Sequence, residues 1–163
     1  MHIAYIGLGS NLGLPETQIR QAINAIENIH SIQITATSSL YYSRPMGPQD
    51  QPDYMNAVVK LSTSLSPLEL LDALQAIELE AGRVRKDERW GARTLDLDIL
   101  LYDDLVLESE RLTIPHYGMK EREFVLLPLA EIAPTLKLPD QSEVQTLANN
   151  IPTNGLKIHS KLR

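Results

Sequence analysis

The apolar positions of this chain change period several times, and each change marks an element. Ile3 to Leu8 is a short apolar run closed by Gly9, Ser10 and Asn11, the pattern of a buried strand. Pro15 stands where a first helical turn tolerates proline, and Ile19, Ala22, Ile23, Ile26 and Ile29 then recur at helical spacing. Ile32 to Tyr42 is rich in β-branched and aromatic residues and predicts one long strand. Arg44 to Asp53 holds Pro45, Gly47, Pro48 and Pro52 and predicts a loop. From Tyr54 to Ser64 the apolar residues largely alternate around Asn56 and Lys60, so a second β segment follows.

Ser66-Pro67-Leu68-Glu69 is a helix start, with serine as N-cap, proline at the first position and an acid in the first turn. Leu70, Leu71, Leu74, Ile77 and Ala81 give the buried face, and Gly82 is the expected stop. Leu95 to Tyr102 predicts another strand, Thr113-Ile114-Pro115-His116 opens a loop, and Phe124 to Ile132 predicts a short helix interrupted near Pro128. From Pro134 onward the pattern is weak, and this stretch reads as peripheral. The order is β-α-β-β-α-β with extra C-terminal pieces. It predicts an α+β, ferredoxin-like core with helices on one face of an antiparallel sheet, over a single domain covering 1–163. That plan hosts many unrelated functions, so the function has to come from particular residues.

Composition narrows the choices. The chain has no cysteine, which removes disulfides, thiol catalysis and cysteine-bound zinc. No basic n-region precedes the first apolar run, and no run approaches the ~18 apolar residues of a membrane span, so a cytoplasmic protein is expected. The net charge of −6 argues against nucleic acid as a partner. Yet Arg83 to Arg93 holds five cations and two acids, a local basic run that by itself reads first as a solvated loop and otherwise as a site for a bound anion.

Thr94-Leu95-Asp96-Leu97-Asp98-Ile99-Leu100 changes that balance. On a strand, Asp96 and Asp98 share one face, about 6.6 Å apart. Such a pair brackets hard divalent cations or forms the solvated face of an edge strand; with Arg83, Arg85, Lys86, Arg89 and Arg93 just upstream, it suits a metal-triphosphate site. Trp90, the only tryptophan, lies among those cations, either covering a flat ligand or packing. His116 beside Pro115 could donate to a phosphate or pack as a neutral ring. Tyr54 and Asn56 share a strand face, and Phe124 is the only phenylalanine; aromatic plates with an amide suit a planar heterocycle, and core packing is the alternative. Gly7-Leu8-Gly9-Ser10-Asn11 resembles a phosphate loop but lacks a following Gly-Lys-Ser/Thr, and reads as a turn without a ligand.

Arg89-Trp90-Gly91-Ala92-Arg93-Thr94-Leu95-Asp96-Leu97-Asp98-Ile99-Leu100 resembles the signature of the hydroxymethyldihydropterin pyrophosphokinases of folate synthesis. The resemblance extends to Ala4 through Gly13, to Gly47 through Ala57, to Ile77-Glu78 and Gly82-Arg83, and to Ile114 through Tyr117. It implies a monomeric enzyme that moves pyrophosphate from MgATP to the hydroxymethyl oxygen of 6-hydroxymethyl-7,8-dihydropterin, releasing AMP. It implies that Asp96 and Asp98 hold two Mg²⁺, with Arg83 and Arg93 as further catalytic groups. ATP-side positions would be Gln75, Glu78, Arg85, Trp90, Ile99, Arg111, Thr113, His116, Tyr117 and Arg122. Pterin-side positions would be Ser43, Pro45, Met46, Gly47, Tyr54, Asn56 and Phe124. Three residues depart from the commonest pattern: Ala92 where proline is frequent, Ser43 where threonine is common, and Glu123 where glycine is often found. Glu123 is placed to draw Arg122 away from phosphate.

Overall fold

The computed structural model describes residues 1–11, 14–43, 54–83 and 95–162, without the Arg83 side chain. The strands are β1 (His2–Ser10), β2 (Ile32–Thr37), β3 (Ser39–Ser43), β4 (Tyr54–Thr63), β5 (Asp96–Tyr102), β6 (Leu107–Glu108), β7 (Thr113–Ile114) and β8 (Lys157–Lys161). The helices are α1 (Pro15–Glu27), α2 (Pro67–Arg83), α3 (Glu123–Ile132) and α4 (Val144–Asn150), with a 3₁₀ turn at Met119–Glu121. The main sheet is six-stranded and antiparallel in the order β5-β1-β4-β3-β8, with β2 also on β4; β6 and β7 form a small hairpin.

The predicted long strand is split at Ser38. Its N–H donates to Val58 O (2.9 Å), and its Oγ accepts the Val58 N–H (2.9 Å), so one residue satisfies both backbone groups of Val58 and lets the register shift. Counting β2 and β3 as one strand recovers the predicted βαββαβ order. The predicted β1 also runs two residues further, to Ser10, so Gly7 and Gly9 are strand residues and not a turn.

Each sheet face carries its own core. On one face Ala4, Ile6 and Leu8 of β1 pack against Ile19, Ile23 and Ile26 of α1 and Leu70 and Leu74 of α2. Helix α2 starts as its sequence demands: the Ser66 N–H donates to Glu69 Oε1 (2.9 Å) and the Glu69 N–H to Ser66 Oγ (3.3 Å), a reciprocal capping box. It runs through Gly82 to Arg83. On the other face Tyr5, Val58, Leu100 and Leu101 pack against Leu126 and Leu129 of α3 and Val144 and Ala148 of α4.

Two expectations are corrected here. The stretch after Pro134 is not peripheral: Leu138, Val144 and Ala148 are core residues, and β8 extends the sheet along β3. Helices therefore cover both faces. Helix α3 is also continuous through Pro128. An internal proline costs about 3 kcal/mol. Val125, Leu126, Leu129 and Ala130 are all buried around it, and burying each large apolar side chain returns about 1.5–3 kcal/mol, so packing wins.

Candidate active site

Among the described residues, the second face is covered over only part of its area. Odd-numbered residues of β1 face this side, reading Ile3, Tyr5, Gly7, Gly9, so an apolar half gives way to a bare half. The cross-strand register then aligns two rows. Asp98 pairs with Gly7, which pairs with Val58; Asp96 pairs with Gly9, which pairs with Asn56, which pairs with Tyr41. Directly paired residues share a face. Strands lie ~4.8 Å apart, so Asp96 and Asn56 stand about 10 Å apart across a glycine floor. A bulge in β5 leaves Leu100 as an extra residue between the pairs Ile6–Ile99 and Tyr5–Leu101. Both Leu100 and Leu101 consequently enter the second core, directly beside the aspartates.

A pocket of about 520 Å³ lies over this floor. Ser43, Tyr54, Asn56, Asp96, Asp98, Arg122 and Phe124 line it, so residues predicted from four separate parts of the sequence meet there. A methyl group on Gly9 would lie 2.9 Å from Asn56 Nδ2, so glycine is what admits the carboxamide at this point. Asn56 is itself buried.

Beyond the edge of β5, the His116 N–H donates to Leu100 O (3.0 Å), which fixes the loop after β7 against the bulge. Gly118 N donates to His116 Nδ1 (3.2 Å), so the neutral ring carries its proton on Nε2. That nitrogen lies 3.9 Å from Asp98 Oδ2, too far for a direct hydrogen bond. Burial holds the His116 pKa below the usual histidine value; the Asp98 charge opposes this and the Arg122 charge adds to it. His116 is therefore a neutral donor at pH 7. Tyr117 stacks on it with centroids 4.8 Å apart and is otherwise exposed. The Arg122 guanidinium lies 5.8 Å from the Tyr117 ring centroid and 5.7 Å from that of Phe124, and rests on Gly118.

The remaining ATP-side candidates form a second group along α2 and β7. Arg111 donates to Asp72 Oδ1 (2.6 Å) and Gln75 Oε1 (3.1 Å). Both ends of the Arg111–Asp72 pair are about half exposed, and such a pair is worth ~0–1 kcal/mol, so it holds the guanidinium in place without locking it. Glu78 Oε2 accepts the Leu97 N–H (2.7 Å), which satisfies the free edge of β5. The Ile99 side chain is in the first core, leaving only its backbone for a ligand along that edge. Thr113 is exposed on β7. Arg83 ends α2. Pro45, Met46, Gly47, Arg85, Trp90, Ala92 and Arg93 lie outside the described residues.

Two contributions escape a sequence reading. Gly7 and Gly9 form a floor; their spacing of two inside an apolar run was the available signal. Asn154 reaches the same pocket from the far end of the chain. Glu123 also lines it, and here an expectation is corrected: its Oε1 accepts Asn154 Nδ2 (3.1 Å) rather than pairing with Arg122.

Among the described residues no cluster of three or more His, Cys, Asp or Glu side chains could hold a metal ion. Asp96 and Asp98 nevertheless fit Mg²⁺. They are hard oxygen donors on one strand face, and Mg²⁺ usually takes one or two carboxylates and completes its shell with phosphate oxygens and water.

An antiparallel βαββαβ core with paired carboxylates and an arginine in one pocket is the arrangement that a metal–phosphate site requires. Residues 5–134 match the 7,8-dihydro-6-hydroxymethylpterin-pyrophosphokinase (HPPK) family. The chain is 57% identical over 147 residues to the 2-amino-4-hydroxy-6-hydroxymethyldihydropteridine pyrophosphokinase of Haemophilus influenzae, covering 90% of this chain and 91% of that one. It is 53% identical over 153 residues to the protein of the same name from Pseudomonas aeruginosa, covering 94% of each. The crystal structure of Plasmodium falciparum wild-type HPPK-DHPS with pteroate superposes with a TM-score of 0.69 at 17% identity. That match covers 91% of this chain and 42% of the other, and it establishes the fold alone. This chain belongs to the 7,8-dihydro-6-hydroxymethylpterin-pyrophosphokinase family. No helix among the described residues is long and apolar enough to cross a membrane.

Proposed function

We propose that the chain, acting as one domain and as a monomer, transfers the terminal pyrophosphate of MgATP to the hydroxymethyl oxygen of 6-hydroxymethyl-7,8-dihydropterin. The products are the pterin diphosphate and AMP, a step of folate synthesis. One observation carries this reading: the carboxylate pair and the Asn56 carboxamide face each other across a glycine floor, in one pocket with Phe124 and Tyr54. A flat heterocycle over Gly9, edged by Asn56, would bring its hydroxymethyl arm toward Asp96.

Asp96 and Asp98 are the residues that would hold two Mg²⁺, whose chemistry is to neutralise phosphate charge and lower the pKa of the attacking hydroxyl. The chain's other residues position and neutralise, which is most of what phosphoryl transfer asks of a protein. Neutral His116 donates from Nε2 toward a phosphate oxygen. Arg122, with Arg83, Arg85 and Arg93, balances triphosphate charge. Gln75, Glu78, Ile99, Arg111, Thr113 and Tyr117 would serve the nucleoside end, and the family resemblance assigns Trp90 to the same substrate. Ser43 edges the pterin, the substrate to which the resemblance also assigns Pro45, Met46 and Gly47. No residue is assigned as an essential general base. The product assay is decisive: protein, MgATP and the pterin alcohol are incubated and the nucleotides resolved by chromatography. AMP accumulating in step with pterin diphosphate is the expected result. ADP would mean transfer of a single phosphoryl group, and the proposed reaction would be wrong.

A further inference from the structure

We propose that Asn154 is a positioning residue that holds the Glu123 carboxylate away from Arg122, so that Arg122 keeps its charge available to the bound triphosphate. The inference rests on the reading of the pocket as a triphosphate site. Arg122 and Glu123 are consecutive residues at the start of α3, and both line the pocket beside Asp98. Both side chains line one pocket, and a carboxylate paired with the guanidinium would take up the donors that a phosphate needs. Here Glu123 Oε1 is engaged by Asn154 Nδ2 instead. None of the ion pairs among the described residues involves Arg122, and its guanidinium lies against Tyr117, Phe124 and Gly118.

The donor is held by a turn that its own sequence dictates. Asn154 (φ 51°) and Gly155 (φ 82°) are both left-handed, and the Leu156 N–H closes the turn on Thr153 O (2.9 Å). Asn-Gly is the residue pair that tolerates this geometry best. Beyond the turn, Leu156 is buried and β8 pairs with β3, so the turn is anchored to the sheet that floors the pocket. An acid next to the arginine and an amide some thirty residues later thus work as one unit: the amide makes the acid compatible with anion binding.

The test is an epistasis experiment on equilibrium affinity for the magnesium complex of α,β-methylene-ATP, measured by calorimetry. Asn154→Gly removes the amide without left-handed strain. It frees Glu123 to pair with Arg122, and the affinity is expected to fall about fivefold, the size an exposed ion pair supports. Adding Glu123→Gln to that variant removes the competing charge and is expected to restore affinity to within about twofold of the parent. A turn that merely shapes the pocket predicts no such rescue. Unchanged affinity in Asn154→Gly, or a double variant as weak as the single one, would overturn the proposal. Melting temperatures check that both variants are folded. AMP formation by the parent protein is assayed separately: analogue binding with the rescue pattern but no AMP would overturn the reaction and leave the positioning role standing. AMP formation without the pattern would do the reverse, and a parent that binds no analogue would overturn the positioning role.

Discussion

The two faces of the sheet are built from the same strands and serve opposite ends. The face under α1 and α2 is apolar through the middle of its strands: Ala4, Ile6 and Leu8 from β1, and Leu97 and Ile99 from β5, all lie in one core. The other face changes character partway along each strand. β1 passes from Tyr5 to Gly7 and Gly9, β4 from Val58 to Asn56, and β5 from Leu100 to Asp98 and Asp96. Where these strands are apolar, α3 and α4 cover them; where they are bare or polar, the described residues leave a pocket. A single alternation of side chains therefore gives each strand a structural side and a chemical side, and the C-terminal segment sets where the chemical part begins.

Substitutions on the two sides of β5 should separate most widely. Asp98→Ala is expected to reduce pyrophosphate transfer by at least about 10³-fold, with a melting temperature no lower than that of the parent. Product formation with Mg²⁺ and thermal unfolding, measured on the same sample, test both halves of that statement. Next come the two cores. Leu74→Ala and Leu129→Ala should each cost about 2–5 kcal/mol in denaturant unfolding. They should differ in the pterin KM of the folded fraction: Leu74→Ala leaves it unchanged, whereas Leu129→Ala raises it, because α3 carries Phe124 into the pocket. Equal effects on KM would remove the distinction between the faces.

Gly9→Ala sharpens the contrast further, since it adds one methyl group to the floor and displaces the Asn56 carboxamide. The pterin KM is expected to rise about tenfold, the worth of roughly one hydrogen bond, while the ATP KM stays within twofold. The smallest effect belongs to the structural face. Hydrogen bonds from the Ser66 backbone and hydroxyl hold the Glu69 pKa below the usual glutamate value. Their stabilisation is present above the unfolded glutamate pKa and is lost as pH falls through the lower folded one. Glu69→Ala should therefore lower the melting temperature at pH 7, and the gap to the parent should narrow as the pH drops below about 4. A gap independent of pH would mean that the carboxylate takes no part in the cap.

How much of this was legible in the sequence follows the same division. The closed face was readable because Ile19, Ile23 and Ile26, and Leu70 and Leu74, repeat at helical spacing, and a repeat is a local signal. The Asp96–Asp98 pair was readable because strand geometry alone puts both on one face. Gly7 and Gly9 were read as a turn because glycine punctuates loops as readily as it thins a strand, and only the pairing with Asn56 and Asp96 decides between them. The second core was invisible because Leu138, Val144 and Ala148 have no common period; each is buried by a partner distant in sequence. The resemblance to a known family gave the pocket residues their roles and added Ser43, and the departure at Glu123 pointed that side chain at Arg122. The contact that redirects Glu123 comes from Asn154, 31 positions away.

The central claim is that the open half of the second face holds the metal–nucleotide complex through Asp96 and Asp98. Manganese electron paramagnetic resonance tests it most directly, with Mn²⁺ and α,β-methylene-ATP titrated against the parent, Asp98→Ala and Leu74→Ala proteins. The account predicts a protein-bound Mn²⁺–nucleotide signal in the parent and in Leu74→Ala, and its loss in Asp98→Ala. Binding by Asp98→Ala as tight as in the parent would contradict it.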